Sequence, residues 1–135
     1  AAHVAWFQGP LDLQKMEEAC LLFKGEKNFK AFCKPNPNKS DYVGEIFDMA
    51  LSKRQKIESI NFENPVYVLK VQGSGFLHQQ IRKIVTAIVR MGNRSWESTD
   101  ITQRLDKPDM TWEAIPPAPA NGLILWETNV DIPDS

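Results

Sequence analysis

Cysteine and histidine are both scarce in this chain of 135 residues, with two of each, and their placement removes whole classes of chemistry. Cys20 and Cys33 have no metal-ligand spacing, and neither they nor His3 and His78 form a cluster with aspartates of the kind zinc requires. No metal site is therefore expected. Two cysteines without a secretory signal point to reduced thiols rather than a bridge. Long apolar runs are missing as well, since none approaches the roughly 18 residues of a membrane-spanning helix. The opening AAHVAWFQGPLD has neither the basic start nor the long apolar stretch of a signal peptide. The expectation is a soluble, intracellular protein with no membrane partner. Charge of one sign is also lacking: 16 Lys and Arg against 17 Asp and Glu leave a net charge of −1, which excludes a uniformly basic, phosphate-hungry surface.

What is present suffices for a core. With 42% hydrophobic and 24% charged residues the chain reads as one globular domain over residues 1 to 135, without repeats or low-complexity linkers. The basic residues are clustered, with Lys24, Lys27, Lys30, Lys34 and Lys39 in one stretch and Lys53, Arg54 and Lys56 in another. For each lysine alone a solvated loop residue is the simpler reading; as clusters they permit a phosphate track without establishing one.

The pattern alternates between helix and strand. Residues 12 to 24 form a helix, with Asp12 as its N-cap, Leu13, Met16, Cys20 and Phe23 at helical spacing, and Gly25 as its stop. KPNPNKS at 34 to 40 is a turn-rich loop. Val43 to Leu51 is a strand with Val43, Phe47, Met49 and Leu51 on one side, and Gln55 to Asn64 is a polar connection to an antiparallel partner. That partner, Val66 to Gln72, turns Tyr67, Leu69 and Val71 to one face and leads through two glycines into a long helix at 76 to 91, stopped by Gly92 and Asn93. A short helix begins at Thr99 or Asp100, capped by Ser98, Thr99 or Asp100, and ends at Leu105 before Pro108. Prolines 116, 117 and 119 favour an extended approach to a last strand, Leu123 to Val130. The fold class expected is α+β, an antiparallel sheet with helices mainly on one face.

The segment Phe76 to Val85, FLHQQIRKIV, is the most informative part of the chain. At about 100° per residue, Leu77, Ile81, Ile84 and Ile88 make an apolar stripe and Gln79, Lys83, Thr86 and Arg90 a polar one. Arg82 falls between them, on a boundary face with His78 and Val89. A guanidinium there cannot shed its proton and needs either an anion or a path to water along its alkyl stem.

This segment, read as Gly75-Phe76-Leu77-His78-Gln79-Gln80-Ile81-Arg82-Lys83-Ile84-Val85, resembles the motif of the TruA family of tRNA pseudouridine synthases. Three further stretches are similar to that family in the same order: Pro10-Leu11-Asp12 with Met16, the run from Phe23 to Cys33 with Gly25, Phe29 and Phe32, and the Pro-rich approach from Pro116 to the Gly122-Leu123-Ile124-Leu125 strand. The family's Arg-x-Asp-x-Gly-Val motif, which carries its catalytic aspartate, occurs nowhere in the chain, and Tyr42 and Tyr67 fall in ordinary strand patterns.

The resemblance thus covers the C-terminal half of such an enzyme. It implies a pseudouridine synthase-like fold, tRNA as partner, the N-terminal half of the parent protein as a second partner, a homodimer, and uridine-to-pseudouridine isomerisation without a cofactor. By resemblance, Arg82 is the arginine that pairs with and orients the catalytic aspartate, which this chain lacks, so the chain alone is expected to be inactive. His78, Phe29, Phe32, Lys30, Lys34, Leu123 and Leu125 are candidate substrate-binding residues. For His78 an ordinary hydrogen-bonded histidine is an equal reading, and for the phenylalanines and leucines packing is the simpler one. The alternative function is a noncatalytic RNA-binding or dimerisation module.

Overall fold

The computed structural model describes residues 2–57, 59–117 and 123–128. Its strands are β1 (Ala2–Gln8), β2 (Gly25–Asn28), β3 (Val43–Ile57), β4 (Ile60–Gly73) and β5 (Leu123–Thr128). Its helices are α1 (Leu13–Phe23), α2 (Gln80–Gly92) and α3 (Ser98–Asp106), with a 3-10 turn at Lys30–Phe32. The strands form one antiparallel sheet in the order β2-β3-β4-β1-β5. The expected α+β class holds, with the helices packed over one sheet face.

The helix-facing side of the sheet carries Ala5 and Phe7 on β1, Tyr67, Leu69 and Val71 on β4, and Met49 on β3. These meet Met16, Ala19 and Phe23 of α1, Ile81, Ile84 and Ile88 of α2, and Ile101 of α3 in one core. Each large side chain buried here contributes about 1.5–3 kcal/mol of hydrophobic stabilisation. Phe7 and Tyr67 stack across the β1–β4 pair, and the Tyr67 hydroxyl donates to the Leu11 carbonyl at 2.9 Å, tying the β1–α1 turn to the sheet.

Asp12 caps α1 as expected, accepting from the Lys15 N–H, while its own N–H donates to the Gly92 carbonyl at the end of α2. Gly25, at φ +100°, lets the chain pass from α1 straight into β2, a backbone conformation other residues adopt at a cost.

Several boundaries differ from the sequence reading. The strand β1 was not anticipated, because AHVAWFQ is apolar on both sides and shows no alternation; it lies inside the sheet between β4 and β5. Nor was β2, whose GEKN sequence has no apolar signal and which pairs through its backbone with Val43–Ile46. The supposed connection at 55 to 64 is mostly strand, since β3 and β4 pair out to Ile57 opposite Ile60. A register shift between Ile46 and Asp48 leaves Phe47 as the extra, exposed residue of a bulge, so that Ile46, not Phe47, joins the core. The short helix starts at Ser98, ahead of the expected Thr99 or Asp100, ends one residue later than expected at Asp106, and is capped by Glu97, in a reciprocal capping box with Asp100. In the last strand, residues 129 and 130 lie outside the described residues.

Candidate active-site face at the start of helix α2

The long helix begins at Gln80, not at Phe76. Gln79 takes the left-handed conformation, φ 61°, so Leu77 and His78 precede the helix and do not share a helical face with Arg82. The turn is stiffened reciprocally: the Gln80 N–H donates to the Leu77 carbonyl at 3.0 Å, and the Leu77 N–H donates to Gln80 Oε1 at 2.8 Å. Buried Gln80 is therefore a structural anchor at a position the motif leaves variable.

This fixes Arg82 in the first turn of α2, half-buried, at a helix end where the backbone dipole is positive and the first turn itself holds no acidic residue. Two positive features side by side make this corner suited to a carboxylate or phosphate. The Arg82 carbonyl accepts from the Thr86 hydroxyl at 3.1 Å, and the same hydroxyl lies 2.8 Å from the Pro116 carbonyl. Thr86 thus joins the arginine-bearing turn to the segment leading to β5.

The basic loop after β2 docks on the same corner. The Lys34 N–H donates to the His78 carbonyl at 2.9 Å, and Lys83 Nζ donates to the Cys33 carbonyl at 3.3 Å. Lys34 and the His78 side chain are exposed beside each other's backbone, with no carboxylate within ion-pair distance of Lys34 among the described residues. Lys30 differs: its ammonium is paired at 2.6 Å with Asp109, which raises its pKa above the ordinary lysine value.

Phe29 and Phe32 are 1% and 0% exposed, and Phe32 meets Phe23 edge to face at 5.1 Å. Their rings are core in this conformation, which favours packing over contact with a base. Leu123 and Leu125 stand opposite Phe7 and Trp6 on β1, with a register shift between the pairs; their side chains lie outside the described residues. The second basic cluster, around Arg54, sits far along β3 from the first. At about 3.3 Å per residue, eight residues of strand separate Ile46 from Arg54 by about 26 Å.

Two residues of the polar stripe of α2 are buried. Lys83 and Thr86 are 7% and 4% exposed, covered by the 33–34 loop and by residues 114–116. A second unforeseen feature is a cation–aromatic stack, with the Arg104 guanidinium 4.4 Å from Trp96 and 4.7 Å from Trp112, and Arg90 5.0 Å from Trp96. Helical periodicity carries no signal for either, because the covering segment around Trp112 has no regular structure. Among the described residues no group of His, Cys, Asp and Glu could hold a metal ion, and no helix is long and apolar enough to cross a membrane.

The family model described as tRNA pseudouridine synthase matches residues 19–131. The tRNA pseudouridine synthase A of Pseudothermotoga lettingae is 29% identical over 121 residues, covering 90% of this chain and 46% of that protein. The protein of the same name from Thermotoga maritima is 30% identical over 125 residues, 93% of this chain and 47% of that protein. That of Thermococcus kodakarensis is 33% identical over 115 residues, 85% of this chain and 39% of that protein. The chain spans about half the length, or less, of these curated relatives. With a match that runs from α1 through β5 and takes in the Arg82 turn, the chain belongs to the tRNA pseudouridine synthase family.

Proposed function

We propose that this chain is the C-terminal part of an enzyme that isomerises uridine to pseudouridine in tRNA, and that Arg82 holds and orients a catalytic aspartate supplied by another part of the protein. The observation that carries this reading is Arg82 in the first turn of α2, half-buried at the positive end of a helix, at the position where the family motif has its arginine. Burial of a carboxylate raises its pKa, and a neighbouring guanidinium lowers it again while fixing its direction through two parallel hydrogen bonds. The aspartate would then remain ionised and aimed at a uridine extruded from its stack. The chemistry needs a positioned carboxylate and a held base, and no cofactor. Lys34 and His78, exposed beside that corner, are proposed to meet the RNA, and Leu123 and Leu125 to wall the cleft. The chain contains no Arg-x-Asp-x-Gly motif, which also motivates the second reading, a noncatalytic RNA-binding or dimerisation module.

The test is tritium release from labelled uridine in tRNA, by this chain alone and by a parent protein that carries the aspartate motif. The chain alone is expected to show none, because an arginine cannot replace a missing carboxylate. In the parent, Arg82→Ala should abolish or severely reduce the single-turnover rate with tRNA affinity largely intact. Arg82→Lys should rescue poorly, since misplacement by about 1 Å can cost on the order of 100-fold. An unchanged single-turnover rate at saturating enzyme would remove Arg82 from the active site; a parent without the motif would favour the binding module.

A further inference from the structure

A cavity of about 200 Å³ lies beside α2, between the 30–35 turn, Tyr42 and the 108–115 segment. Lys83 lines it together with Lys30, Tyr42, Trp112 and Glu113. The Lys83 side chain is unusual in being only 7% exposed, since lysines are rarely buried unless paired. Its ammonium has three donors, and among the described residues it has one acceptor, the Cys33 carbonyl at 3.3 Å. Among the described residues no carboxylate lies within 4.0 Å of it, and Glu113 belongs to the exposed rim. Keeping an ammonium in such a place costs free energy that an anion in the cavity would return.

We propose that this cavity is an anion site built around Lys83 and that its occupant is a phosphodiester of bound RNA. The proposal rests on the tRNA-binding reading above. The volume falls below the roughly 300–1,000 Å³ of a drug-sized ligand pocket, which suits one phosphate group and not a whole nucleotide. Trp112, Tyr42, Pro35 and Pro108 give it apolar walls, and low polarity strengthens the attraction between ammonium and phosphate. Lys30 contributes little, since Asp109 already neutralises it. Location favours RNA over a free ion. The loop that forms one wall is bound to the α2 turn through the Lys34 N–H and His78 carbonyl, so the cavity adjoins the corner that carries Arg82. Lys83 follows Arg82 directly and points about 100° around the helix from it, so the phosphate it holds belongs to a neighbour of the reacting nucleotide.

The experiment measures tRNA binding by the 135-residue chain as a function of salt, and separately the response of Trp112 fluorescence to inorganic phosphate, with Trp112→Phe identifying that signal. Lys83→Met should lower tRNA affinity several-fold at low salt. It should also reduce the slope of log affinity against log salt by about 0.7–0.9, the loss of one phosphate contact. The phosphate response should vanish in the same variant. Lys83→Gln retains a donor for the Cys33 carbonyl and should behave alike; a change confined to Lys83→Met would mark misfolding and overturn the proposal. An unchanged slope in both variants, with tRNA still bound, overturns it while leaving the tRNA-binding reading intact. A phosphate response without any tRNA binding refutes RNA as the source of the anion and, independently, the tRNA-binding reading.

Discussion

Replacing Arg104 with methionine tests the force that holds the 107–117 segment over α2. The guanidinium lies against the Trp96 and Trp112 rings at 4.4 and 4.7 Å, and its Nη1 donates to the Asp100 carbonyl at 2.7 Å. A charge-assisted hydrogen bond contributes about 1.5–3 kcal/mol, and each cation–aromatic contact about 0.5–2 kcal/mol according to its desolvation. Against this stands the burial of the charge. Arg104 is 9% exposed, its Nε has no hydrogen-bond partner among the described residues, and burial lowers its pKa from the ordinary guanidinium value. Leaving such a group unsatisfied costs about 1–3 kcal/mol. Methionine also retains much of the packing against the rings. The expected net loss is about 2 kcal/mol, which for a chain of this size lowers the melting temperature by about 7 °C. Thermal unfolding followed by circular dichroism reads this directly. A double-mutant cycle with Trp112→Leu should give a coupling of about 1 kcal/mol. Arg104→Met at or above the parent's stability, or a coupling below about 0.3 kcal/mol, would show that the rings do not hold the arginine.

Two further expectations concern acid stability and association. Asp12 titrates below the usual 3.8, chiefly because Arg94 donates to it at 2.9 Å and then because the Lys15 N–H also donates. A carboxylate with a depressed folded-state pKa stabilises the fold above its unfolded pKa and loses that effect as pH falls through the folded value. The stability gap between the native chain and Asp12→Ala should therefore close as pH drops below about 4, and a gap constant down to the lowest pH in a denaturant series would contradict the assignment. Leu21, Val43 and Phe47 are large apolar residues at least half exposed, so self-association to a dimer or larger species is expected; sedimentation as a strict monomer at tens of micromolar, on the order of a weak interface's dissociation constant, would refute it.

The sequence alone determined the helical core faces, the Asp12 cap, the class of the fold and the motif around Arg82. Those signals are local: Ile81, Ile84 and Ile88 recur at helical spacing whatever covers them, and a carboxylate before Leu13 caps the first turn in any context. Tertiary structure decided the rest. Whether β1 is a strand depends on β4 and β5 lying on either side of it, since its own residues are apolar on both faces. Phe47 is exposed because a bulge shifts the register of β3 against β4, and no periodic pattern records one inserted residue. Helical spacing put Lys83 and Thr86 together on a polar side, but it says which residues share a side, not what packs against it. Here that side is closed by an irregular loop and by the segment approaching Pro116, so two polar groups become buried contacts beside the arginine that the motif had already marked.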